Sequence, residues 1–99
     1  MSFVNAQPED LTAAAGNLQS IGSAITAQDA AAAAPTTGVV PAAADEVSAL
    51  TAAQFAMHAH MYQAVSAQAA AIRDMFVSTL AGSASSYAAT EAANAVAAT

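Results

Sequence analysis

The segment Pro35-Thr36-Thr37-Gly38-Val39-Val40-Pro41 places two prolines and a glycine within seven residues, and no other stretch breaks backbone regularity so strongly. On either side of it alanine, leucine, methionine and glutamine dominate, and their helix preference is informative when summed over long windows. One interruption between two such stretches specifies an all-α chain: two helices on a short connection, and therefore an antiparallel two-helix hairpin. The first helix should start at Pro8, where the missing N–H is not needed and Glu9 and Asp10 face the positive helix end. It should run to about Ala34. The second should span about 41–81, opening at Pro41 or near Asp45 and stopping where Gly82 offers a C-terminal signal. The expected organisation is a hairpin over residues 1–82 and a flexible or weakly helical tail over 83–99. With lengths of roughly 40 and 60 Å, the second helix should overhang the first.

Alanine occupies 33 of the 99 positions, which leaves 23 larger apolar or aromatic residues spread along the whole chain. A buried methyl stabilises by about 0.8 kcal/mol, whereas ordering a residue costs about 1.5 kcal/mol. A core made mainly of methyls struggles against that entropy, so the hairpin is expected to complete a helical bundle with a partner protein. Gly16 and Gly22, inside the first helix, either admit a close neighbour or are simply tolerated.

Charge is sparse and one-sided. Seven acids face a single base, Arg73, for a net charge of −6. Nothing here could displace counterions from phosphates or dock electrostatically on anionic lipid, so nucleic acid is excluded as a partner class. The N-terminus carries no basic region and no long apolar run, so no cleaved signal peptide is expected. No transmembrane segment is expected either. The chain is then cytoplasmic, or exported by a route that needs no cleaved signal.

The apolar pattern is uneven between the helices. In the first, Leu11, Ala14, Leu18, Ile21, Ile25, Gln28 and Ala32 alternate spacings of three and four and form one seam. The second carries two stripes. Val47, Leu50, Gln54, Met57, Met61, Ala64, Gln68, Ala71 and Met75 make one; Phe55, His58, Tyr62, Val65, Ala69, Ile72, Phe76 and Leu80 make the other. That surface is wider than one short helix can cover, and residues past Gln68 should extend beyond the first helix. Phe55, Met57, Met61, Tyr62, Val65, Ile72, Met75, Phe76 and Leu80 of these stripes, with Leu11, Leu18, Ile21 and Ile25, are the expected partner interface. A second copy of the chain would satisfy the pattern as well as a different partner.

Catalytic and metal chemistry find no foothold. His58 and His60 point about 200° apart on a helix, and their i+4 neighbours, Tyr62 and Ala64, supply no carboxylate. Glu9-Asp10 and Asp45-Glu46 are explained by helix starts. No serine stands in a nucleophile elbow, no glycine loop cradles phosphate, and Arg73-Asp74 reads as a solvated pair. No catalytic residue, metal ligand or cofactor is expected. In the tail, Tyr87 and Glu91 would share a helix face one turn apart, an isolated aromatic and an isolated charge in a bland setting.

The Pro8-Glu9 pair, the opening Met1-Ser2-Phe3-Val4, the linker Ala34–Pro41 and the following Ala42-Ala43-Ala44-Asp45-Glu46-Val47-Ser48 together resemble the PE proteins of mycobacteria. The likeness covers the whole chain and is strongest to members associated with the fifth ESX type VII secretion system. It implies a helical hairpin paired side by side with a PPE protein and export through an ESX machine. Many family members carry a long glycine-rich or enzymatic region after this domain, and no such region is read in these residues. The protein would then be secreted or lie at the cell surface or envelope. The resemblance also implies that Tyr87 and Glu91 are the secretion signal, a tyrosine followed four residues later by an acid, read by the ESX export ATPase. The EspG chaperone of that system engages such pairs through the PPE subunit, so no EspG site is expected on this chain. A role in envelope permeability or solute uptake, exerted with the partner after export, is the alternative.

Overall fold

A computed structural model describes residues 4–99 and shows an all-α hairpin of two antiparallel helices, α1 (Pro8–Thr37) and α2 (Glu46–Ala97). The expected opening Met1-Ser2-Phe3 lies outside the described residues. Helix α1 begins at Pro8 with Glu9 and Asp10 in its first turn, as the helix dipole favours. Its end lies beyond the expected Ala34. Pro35 sits inside the last turn, where Thr36 and Thr37 donate their hydroxyls to the Ala32 and Ala33 carbonyls at 2.6 and 2.7 Å. The Gly38 amide then closes the helix on the Ala34 carbonyl at 3.0 Å. A Cβ at Gly38 would stand 3.1 Å from that same oxygen, so the close approach favours glycine.

Helix α2 starts at the later of the two expected points and ends later than the pattern suggests. Pro41–Ala44 stay outside it, and Asp45 serves as the N-cap. The Asp45 carboxylate accepts the Ser48 hydroxyl at 2.7 Å and the Ser48 amide at 3.1 Å. Those two bonds, the hydroxyl first, hold its pKa below the usual carboxylate value. At the other end Gly82 does not stop the helix, and residues 83–97, expected to be flexible or weakly helical, continue it. A glycine costs about 1 kcal/mol inside a helix, too little to outweigh the alanines around it. A glycine stop also needs a left-handed backbone, which Gly82 does not adopt.

The hairpin divides into two compact units. One joins Gly22–Ile72; the other joins the described residues up to Ile21 with Arg73–Thr99. In the first, the sheltered positions of α2 are Ser48, Ala52, Ala56, Ala59, Gln63, Ser66, Ala69 and Ala70, and those of α1 are Gly22, Ile25, Asp29, Ala32, Ala33 and Thr37. In the second, Arg73, Val77, Leu80, Ser83 and Ala84 are sheltered on α2, with Leu11, Ala15 and Leu18 on α1. The spacings of three and four are those of a heptad seam, but small and polar residues fill much of it. No side chain larger than alanine is buried among the described residues; Ala15, Ala52, Ala59 and Ala84 alone are.

Several expectations are corrected by this seam. On α1, Ala15, Gly22 and Asp29 stand where Ala14, Ile21 and Gln28 were expected, and Ile21 is exposed. Alanine on every face of α1 leaves its apolar pattern nearly indifferent to a one-residue rotation. Neither stripe of α2 forms the seam, although Ala69 and Leu80 of the second lean into it. The residues directly past Gln68 do not extend beyond α1: Arg73, Val77, Leu80, Ser83 and Ala84 are sheltered in one compact unit with its first turns, and only from Ser85 onward is all of α2 exposed, Glu91 excepted. Arg73 is half-buried, and its Nε and Nη2 have no hydrogen-bond partner among the described residues, where a solvated pair with Asp74 was expected. At Gly16 no close neighbour exists, since a Cβ there would meet nothing within 4 Å.

A seam of methyls permits close helix approach, and enlarging one of them tests it. Ala59 is 7% exposed, so Ala59→Leu should force the helices apart and destabilise by about 1–3 kcal/mol. The melting temperature of the folded protein reads this directly; an unchanged value would contradict tight packing at Ala59.

Candidate interaction surface and C-terminal segment

With alanine and serine turned inward, the bulky residues of α2 are left outside. In the unit Gly22–Ile72, Val47, Leu50, Met57 and Met61 of one stripe and Phe55, Tyr62, Val65 and Ile72 of the other are all exposed. In the remaining unit, Met75 and Phe76 are exposed, Phe76 at 55%. Two aromatic rings on the surface of a 99-residue chain would be ordinary; a whole series at helical spacing is not. Leu11, Leu18, Ile25 and Leu80 differ from the rest: each is half-buried within the hairpin, so only part of their surface remains free.

Tyr62 is fixed as well as exposed. Its hydroxyl donates to Asp29 Oδ1 at 2.9 Å, and the neighbouring Gln63 Nε2 donates to the Asp29 carbonyl at 3.0 Å. One acidic residue of α1 therefore holds two consecutive side chains of α2. Beside it, Ala32, Pro35, Thr36, Val39, Phe55, His58, Ala59 and Tyr62 line a groove of about 450 Å³. Its walls are mainly apolar, a shape suited to a bulky side chain. His58 forms part of that wall. Among the described residues no group of three or more histidines, aspartates and glutamates is placed to hold a metal ion.

Tyr87 and Glu91 lie one turn apart on α2, near its end, but their surroundings differ. Tyr87 is 50% exposed and lines a shallow hollow with Thr79, Gly82, Ser83, Ser86 and Thr90. Glu91 is half-buried, and its Oε1 accepts the Ala6 amide at 3.2 Å across 85 residues of sequence. Sequence reading missed this contact. Ala6 carries no side-chain signal, and a backbone donor is invisible to composition. Pro8 and Glu9, the sequence pair singled out above, open α1 and serve its N-terminus.

Comparison with known proteins gives consistent findings. The family described as PE family matches residues 4–94. The chain is 76% identical over 98 residues to PE family protein PE13 of Mycobacterium tuberculosis, covering 99% of each. It is 58% identical over 98 residues to PE family protein PE8 of the same organism, covering 99% of this chain and 36% of that protein. A third relative, PE-PGRS family protein PE_PGRS33, is 58% identical over 95 residues, which is 96% of this chain and 19% of its own length. The chain thus spans nearly all of one relative and a minor part of the other two.

Proposed function

This chain belongs to the PE family, and on that premise we propose that it is a secreted subunit of a PE–PPE heterodimer. PE proteins generally pair with PPE proteins and are generally exported by ESX systems. In this reading the exposed apolar face of α2 is the pairing surface, with Met57, Met61, Met75, Phe55, Tyr62, Val65, Ile72 and Phe76 as contacts. Tyr87 and Glu91 then present the pair to the export ATPase, while EspG engages the PPE subunit. No helix among the described residues is long and apolar enough to cross a membrane.

One observation carries the proposal: the buried positions of the hairpin seam are all alanine, while most of the large apolar side chains of α2 are exposed. Folding alone leaves those groups in water. Pairing removes them, and each fully buried Leu-, Phe- or Met-sized side chain contributes about 1.5–3 kcal/mol. The hairpin therefore depends on its partner for much of its stability.

Helical circular dichroism and a thermal melt test this, first on the chain alone and then on the chain co-expressed with a PPE protein encoded beside it. The lone chain should melt broadly at low temperature. The co-expressed pair should purify as a 1:1 helical complex with a cooperative melt. A sharp, high-temperature melt of the chain by itself would overturn the dependence on a partner.

A further inference from the structure

The proposed export signal contains a residue that the structure presents to solvent only in part. From Ser85 to Thr99 every residue is exposed except Glu91. The only charged side chain of that stretch is thus the one drawn inward. It is held by the Ala6 amide, which donates to Oε1 at 3.2 Å. Val4 and Asn5 line a hollow together with Glu91, Asn94, Ala95, Ala97 and Ala98, so the segment before α1 lies against the last turns of α2. Tyr87, one turn earlier, keeps half of its surface free.

We propose that Glu91 is a positioning residue: it anchors the segment Val4–Ala6 to the end of α2, and the export machinery reads Tyr87 on the platform so formed. This rests on the export reading above and assigns the two signal residues different work. A carboxylate is suited to the anchor because a hydrogen bond from a neutral amide to a charged oxygen is stronger than one between neutral groups. The segment before α1 has no helix of its own to satisfy Ala6, and Glu91 supplies that acceptor. The charge itself is then secondary to the acceptor oxygen.

Three variants of the full chain, each co-expressed with its PPE partner in a bacterium carrying the export system, separate the roles. Glu91→Ala removes the acceptor. Ala6→Pro removes the N–H and leaves the carboxylate. Glu91→Gln keeps an acceptor oxygen and loses the charge. Glu91→Ala and Ala6→Pro should lower the exported fraction similarly, by about tenfold for the loss of one charge-assisted hydrogen bond, and combining them should add nothing. Glu91→Gln should be exported nearly as well as the unmodified chain. In the purified pair, exchange of the Ala6 amide should accelerate about tenfold in Glu91→Ala and stay slow in Glu91→Gln.

Export of Ala6→Pro at the normal level would overturn the proposal, as would loss of export in Glu91→Gln while Ala6 stays protected, which would show that the charge is read directly. Unchanged Ala6 exchange in Glu91→Ala would remove the anchor itself. Normal export of Tyr87→Ala is a different result: it sinks the export reading, and the anchor is then judged on exchange at Ala6 alone. Co-purification with the partner shows in each case that the variant has folded.

Discussion

Phe76→Asp is expected to weaken pairing with the PPE protein by two to three orders of magnitude while leaving the hairpin as it is. The asymmetry follows from where the ring lies. At 55% exposure in the hairpin, Phe76 contributes little to its packing, so an aspartate there meets water and folding is scarcely affected. In the proposed pair the same position is covered, and an aspartate becomes a buried charge without a partner. Such a charge costs about 3–5 kcal/mol, which is a factor of roughly 100 to several thousand in the dissociation constant. Titration of the two purified proteins measures it, with helical circular dichroism as the check on the fold. Tyr62→Asp should act in the same direction, with an added loss inside the hairpin because its hydroxyl bonds to Asp29. Unimpaired binding by both variants would remove α2 from the interface.

Tyr87→Ala is expected to abolish export and leave pairing untouched. Tyr87 is half-exposed in a hollow lined by small polar side chains. Its removal opens no cavity in the alanine seam. The helix around it is also favoured by alanine, which ranks above tyrosine in helix preference. Stability should therefore hold or rise slightly, and a fall in export cannot be a by-product of unfolding. Culture filtrate and cell pellet, probed together for the chain and for its partner, give the result: both proteins retained inside, and still co-purifying. Retention with loss of pairing would place Tyr87 in the interface and contradict its separate role.

Much of the fold is legible in the residues. Pro8 with Glu9 and Asp10 marks the start of α1, because proline and acids suit the first turn for electrostatic and covalent reasons that need no neighbour. The Pro35–Pro41 interruption marks the turn. Even there local signals leave a few residues open: Pro35 is absorbed into the last turn of α1, where Thr36 and Thr37 bond back to the preceding turn, and of the two starts that the sequence offers for α2, Pro41 and the vicinity of Asp45, the second is taken because Asp45 caps the helix through Ser48. Gly82 carries a stop signal that its own backbone does not use. The aromatic and methionine stripes are legible as an unusually wide apolar surface, and the pair Tyr87 and Glu91 as an isolated aromatic and acid one turn apart.

Sequence by itself thus determined the class of fold, two antiparallel helices, and the residues that share a face, because helical periodicity and end chemistry are local. It placed Leu11, Leu18, Ile25 and Ala32 on the inner face of α1 but could not determine which face of α2 turns inward. A hydrophobic stripe ordinarily decides that question, but alanine on every side of both helices flattens the contrast. Close approach then selects the smallest side chains for the seam and turns Phe55, Met61, Tyr62, Val65 and Phe76 to the outside. Tertiary structure alone decided that, and it alone brought Ala6 to Glu91, since a backbone amide leaves no trace in the sequence and meets its acceptor only when the chain has folded back along itself.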